Sequence, residues 1–230
     1  MRQIIIEGER VKYLNTEVVK EVSVADFVGH IEENLSINTG ILPRNCLYMK
    51  REGKRVAYMI EVPAMLCPVK LRNRKKEGKT AKLHNFVIST PFTQFYVGGS
   101  ASNNIVNKVY VSVTKSPVRT LKDKVYISPY LNIFDQGTSY VCTGNMILSD
   151  KLDFIGKING IVSLFFEAES NDDLMPNIPK GFSTTPSRYT EYYKEWDELT
   201  KKDRFFGVSD SVEYPEFSYT IEQLLDKSMQ

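Results

Sequence analysis

Apolar and polar positions alternate or recur along most of the chain, and the period of that pattern changes from segment to segment. Val24, Phe27, Val28, Ile31 and Leu35 recur at helical spacing behind Ser23-Val24-Ala25-Asp26, a capping sequence with Asp in place of Glu or Gln. They predict a helix over residues 24–34, following one or two strands between Ile4 and Val22. Cys46-Leu47-Tyr48-Met49 and Val56 to Val62 flank the polar turn Arg51-Glu52-Gly53-Lys54, which is a hairpin signature. Strands are expected at 69–71, 85–90, 93–97, 108–114 and 124–127, separated by Gly, Pro, Asn and Ser clusters. An antiparallel meander accounts for that succession.

Beyond residue 148 the period returns to that of a helix. Ile155, Ile158, Val162 and Phe165 form one stripe behind Ser149 or Asp150 as the cap, with Gly156 and Gly160 lowering intrinsic helicity. Residues 172–187 hold three prolines and read as a loop. Tyr189, Tyr192, Tyr193, Trp196 and Leu199 then lie on one face of a further helix, read as a packed face rather than a ligand cage. Thr220 and Gln223 suit the cap of a short terminal helix.

The 230 residues suffice for one sizeable core, and no repeat or clear linker divides them, so a single α+β domain over 1–230 is expected. Apolar residues at 42% and charged residues at 25% suit a folded globular chain. Thirty basic residues against 28 acidic ones exclude a general polyanion-binding surface, leaving a local one. The N-terminus meets Glu7 before an apolar signal core can form, and no apolar run reaches membrane-spanning length. A cytoplasmic protein without membrane contact is the expectation.

Three widely spaced cysteines, Cys46, Cys67 and Cys142, form neither a disulfide framework nor a C-x-x-C pair. Two histidines, His30 and His84, offer little for a metal site, and neither metal nor cofactor is expected. Chemistry concentrates in Ser128 to Asn145, where Cys142 lies between Gly137 and Gly144-Asn145 in a stretch that reads as a surface excursion. An exposed thiolate is a nucleophile, and an Asn amide supplies a donor for an acyl-transfer oxyanion, so Cys142 and Asn132 are the candidate catalytic pair. Asp135 and Asp150 are candidate acid/base groups for an incoming amine. Against this stand plainer readings: a structural thiol at Cys142, turn formation by Asn132, and a loop carboxylate or helix cap for the two acids.

Lys70, Arg72, Arg74, Lys75, Lys76, Lys79 and Lys82 form the densest basic cluster. No aromatic residue interrupts it as a stacking platform, so a solvated hairpin tip is favoured over an acidic partner or phosphate backbone. Gly98-Gly99-Ser100 lacks the Lys-Ser/Thr ending of a phosphate loop and reads as a connection between strands.

Helix, meander, Cys-bearing loop and helices, in that order, resemble the ubiquitin-conjugating (E2) family. Tyr130, Leu131, Asn132, Ile133, Gly137, Val141 and Cys142 stand where that family has His-Pro-Asn-Ile, Gly and Ile-Cys. With Gly40-Ile41-Leu42-Pro43-Arg44-Asn45 and the stretch Pro129 to Asn145, the chain is most similar to the prokaryotic E2-like group that includes PRTRC system protein B, prokaryotic E2 family D.

The likeness spans about residues 23–170, with N-terminal strands before it and a helical extension over 171–230. It implies an E2-like antiparallel meander flanked by helices. It also implies a carrier that accepts a ubiquitin-like protein as a thioester on Cys142 and passes it to an amine or thiol. A ThiF-like (E1-like) activating enzyme and the ubiquitin-like protein are the implied partners. Tyr130 and Leu131 depart from the motif's His and Pro, and the loop from Gly137 to Cys142 is longer than usual. An inactive E2-fold binding module in a phage or mobile-element complex is therefore the alternative, and a nucleic-acid-associated protein using Lys70 to Lys82 is the weaker one.

Overall fold

The computed structural model describes residues 3–7, 10–14, 18–24, 42–72, 81–135, 137, 139–143, 148–171, 177–183 and 189–230. The chain forms two compact units, Met1–Ile41 and Leu42–Gln230. In the first, β1 (Gln3–Glu7), β2 (Arg10–Leu14) and β3 (Val18–Ser23) form an antiparallel sheet in which Lys12 lies opposite Glu21. The helix expected over 24–34 falls almost wholly outside the described residues.

In the second unit the meander runs through β4 (Cys46–Glu52), β5 (Arg55–Val62), β8 (Phe92–Ser100) and β9 (Ile105–Thr114). Gly53, at φ +58°, turns β4 into β5 as the Gly-containing turn requires. The far side of β9 carries β10 (Tyr126–Ile127) and the hairpin of β11 (Ile133–Asp135) and β12 (Tyr140–Val141), giving the order β11-β12-β9-β8-β5-β4 with β10 beside β9.

Strands β6 (Leu66–Arg72) and β7 (Leu83–Ser89) were expected inside this meander but form a second sheet with β13 (Glu169–Asn171), which runs parallel to β6. Their burial explains the separation. In β6 only Cys67, Val69 and Leu71 are buried, whereas β5 and β8 are buried on both faces, so β6 and β7 suit an outer layer and β5 and β8 a central one.

Among the described residues of the second unit lie the α-helices α1 (Phe154–Glu167), α2 (Tyr189–Lys202) and α3 (Ile221–Met229). The cap of α1 is Asp153, whose carboxylate accepts from the Gly156 amide at 2.7 Å, rather than Ser149 or Asp150. Thr220 and Gln223 form the reciprocal capping box expected of α3.

Period-two alternation sends Tyr58, Ile60, Phe95 and Val111 into the main core with Ile158 and Phe165 of α1 and Trp196 of α2. Their neighbours Ala57, Met59 and Tyr96 face Ile221, Leu224 and Met229 of α3 in a second core. Burying a side chain such as Ile158, Phe165, Met59 or Leu224 contributes about 1.5–3 kcal/mol, so both faces of the central sheet drive folding. A Cβ on Gly98 would lie 2.0 Å from the Ser228 carbonyl oxygen, so only glycine lets β8 and the end of α3 approach this closely.

Polar groups among the described residues also bond within and beside these cores. On the α3 side, Gln94 donates to Glu61 at 3.0 Å and to Thr114 at 2.9 Å, while its carbonyl accepts from Ser112 at 3.2 Å. At the free edge of β7, the amides of Val87 and Ser89 donate to Asp197 Oδ1 (2.9 Å) and Thr200 Oγ1 (2.8 Å) on α2. That satisfies groups which would otherwise invite another strand.

Candidate functional site

The β11–β12 hairpin brings the two predicted partners together at the margin of the central sheet. Ile133 pairs with Val141, and one step further the Cys142 amide donates to the Asn132 carbonyl at 2.7 Å. Tyr140 pairs with Tyr110 of β9, and the Val111 amide donates to the Ser139 carbonyl at 3.0 Å, anchoring the hairpin to the sheet. Cys142 is half-buried and Thr143 beside it is exposed, so the thiol stands at a boundary between core and solvent.

Asn132 performs a turn role in this geometry. Its φ of +66° lies in the left-handed region that Asn tolerates better than most residues, and the residue is buried. The side-chain amide donates to Ser170 Oγ on β13 at 3.1 Å. One amide hydrogen is thereby committed to holding the hairpin against the second sheet, and the carbonyl of the same residue holds Cys142. Asn132 is thus a bracket between Ser170 and the cysteine.

Asp135 ends β11 opposite Tyr140. Asp150 lies exposed in the turn ahead of α1, with no hydrogen bond or ion pair to Cys142 among the described residues. Tyr130, where the E2 motif has His, is a core residue: its hydroxyl shares a 2.8 Å hydrogen bond with Thr93, and its ring stacks on Trp196 at 6.1 Å. Burial holds its phenol well above the ordinary range, so it is neutral and unsuited to proton exchange near neutral pH. Cys67 is buried, with its thiol pushed up to about 12, and Cys46 is raised by partial burial, so both favour the unreactive thiol form.

Two contributors escaped sequence reasoning. Ser170 is 38 positions from Asn132 and arrives through β13–β6 pairing, for which the sequence carries no local signal. Phe134 is 66% exposed and meets Tyr140 edge-on at 6.4 Å. The alternation of Ile133 and Phe134 on a three-residue strand is the signal that placed one ring outside.

Of the basic cluster, Arg72 makes a bidentate pair with Glu169 at 2.6 and 2.9 Å, which engages its guanidinium within the chain. Lys70 and Lys82 are exposed, and Arg74, Lys75, Lys76 and Lys79 lie outside the described residues. Among the described residues no group of three or more His, Cys, Asp and Glu side chains is arranged to hold a metal ion, and no helix is long and apolar enough to cross a membrane. Comparisons with protein-family models, curated proteins and solved structures returned no match to this chain.

Proposed function

We propose that this chain is an E2-like acyl carrier in which Cys142 holds the C-terminal acyl group of a ubiquitin-like protein as a thioester. The Asn132 carbonyl to Cys142 amide hydrogen bond carries the reading, because it fixes the backbone of a partly accessible cysteine at a sheet margin. Positioning of this kind lowers the entropic cost of bringing a nucleophile to its acyl donor. In the reaction the Cys142 thiolate attacks the activating enzyme's thioester carbonyl and a new C–S bond forms. The donor's C–S bond breaks, its thiolate leaves and takes up a proton, and a substrate amine later displaces Cys142 in the same manner. ATP is consumed by a ThiF-like activating partner.

A binding module that keeps the framework without thiol chemistry is the second reading. The engagement of one Asn132 amide hydrogen with Ser170 favours it, since that hydrogen and the orientation it imposes are not free to follow developing charge. Incubating the protein with its activating enzyme, ubiquitin-like protein and ATP separates the two readings. The carrier forms a thiol-sensitive adduct that Cys142→Ser abolishes or converts to a thiol-resistant ester. No adduct from wild-type protein with demonstrated partners, or an unchanged thiol-sensitive adduct on the variant, rejects the carrier.

A further inference from the structure

The segment from Thr114 to Tyr126 folds back on itself around a cavity of about 510 Å³, within the range of small-molecule sites. Lys115, Arg119 and Lys124 contribute cations to its lining, and Asp123 contributes the opposing charge. Asp123 is already spent on the loop: Oδ2 accepts from the Arg119 amide at 2.6 Å and the Thr120 amide at 3.1 Å, and Oδ1 accepts from the Thr120 hydroxyl at 2.7 Å.

The cations are less occupied. Neither Lys115 nor Arg119 makes a side-chain hydrogen bond or salt bridge among the described residues. Glu213, which feels the field of Lys115, is paired with Lys180 at 2.9 Å. Lys124 meets Glu216 at 3.2 Å with both side chains 74% exposed, a pair too solvated to resist exchange for a multivalent anion.

The cavity is also preorganised. Buried Glu61 accepts from the Val118 amide at 2.9 Å, Thr114 Oγ1 donates to the Ser116 carbonyl at 2.6 Å, and the Tyr48 hydroxyl donates to the Arg119 carbonyl at 3.1 Å. The loop is thus tied to β5, β9 and β4, and a ligand need not order it. Ser116 and Tyr126 add hydroxyl groups to the lining. Lys115, Arg119 and Lys124 outnumber Asp123, whose charged carboxylate is turned toward the loop's own donors, and around a volume larger than one phosphate that excess of positive charge favours several closely spaced negative charges.

We propose that this cavity binds a compact phosphate polyanion, either inorganic polyphosphate or the phosphate end of a nucleotide, through Lys115, Arg119 and Lys124. The site is separate from Cys142 and does not depend on thiol chemistry.

Calorimetric titration of the full chain with inorganic phosphate, tripolyphosphate and ATP tests it at fixed ionic strength. Saturable one-to-one binding is expected, tighter for tripolyphosphate than for phosphate. Tighter binding of ATP than tripolyphosphate identifies the nucleotide as the source, and the reverse identifies the inorganic chain. The double variant Lys115→Gln/Arg119→Gln should weaken binding about ten-fold or more with thermal unfolding unchanged, because two charge-assisted contacts are lost. The double variant Lys151→Gln/Lys202→Gln, which removes equal charge from exposed positions elsewhere, should leave affinity unchanged. Absence of saturable binding, or equal weakening by both double variants, overturns the proposal.

Discussion

The Cys142 amide and the Asn132 carbonyl lie 2.7 Å apart, while the Asn132 side chain reaches away from that contact to Ser170 at 3.1 Å. The residue therefore links the thiol-bearing hairpin to the outer sheet, and its main contribution is to backbone placement.

Replacing Asn132 separates backbone placement from side-chain chemistry. Asn132→Ala loses the bond to Ser170 and strains a backbone at φ +66°, whereas Asn132→Gly loses the bond alone. Each should destabilise the fold by about 1 kcal/mol for the lost bond, with Ala costing about 1–2 kcal/mol more for its left-handed backbone. Urea midpoints check this ordering. Equal losses for the two variants would falsify the turn role.

The edge of β7 offers a second test. Asp197→Ala combined with Thr200→Val leaves the Val87 and Ser89 amides without their acceptors on α2. A loss of about 1–3 kcal/mol per amide left buried is expected, less where water reaches it. Sedimentation should also show concentration-dependent association through the uncapped strand. A variant as stable and as monodisperse as the parent would show that α2 packs there without protecting the edge.

Alkaline pH should unfold the protein cooperatively. Tyr96, Tyr130, Tyr192, Tyr193 and Tyr214 have phenols raised above their ordinary value of 10.0 by burial, and Cys67 is raised from 9.0 to about 12. Below those ordinary values both folded and unfolded forms hold their protons and the stabilisation is complete. Above them the unfolded chain ionises first, so stability falls as pH rises through and beyond about 9 to 10. Denaturation midpoints should stay level with respect to these groups below that range and drop above it, with buried tyrosinate absorbance appearing only as the fold is lost. Smooth ionisation of all the tyrosines near pH 10 in a still-folded protein would contradict this packing.

Local chemistry made several elements legible. Gly53 and the alternation around it identify the β4–β5 hairpin, and Thr220 with Gln223 identifies the start of α3, because each signal lies within a few residues of its effect. Asp153 was missed as the cap of α1 because Ser149, Asp150 and Asp153 all satisfy the local rule, and packing chooses among them. The outer sheet was illegible as such, since β13 is a three-residue strand whose partner, β6, lies far back in the chain. At the site, the order Asn132, Gly137, Cys142 marked a surface excursion but not the β11–β12 pairing within it, whose strands are only three and two residues long, and Ser170 could be found only once both sheets were in place.

The buried polar set of Gln94, Ser112 and Thr114 fixes more than its own hydrogen bonds. Sliding β8 by one residue against its neighbours would turn Gln94 toward Phe165 and Trp196 and bring Phe95 into the place of an amide that Glu61, Ser112 and Thr114 all contact. An entirely apolar pair of faces would penalise that slip only through packing, but here it also strands a carboxylate and several hydroxyls without partners. The central sheet consequently has one admissible alignment, and the margin that carries Cys142 inherits its position from it.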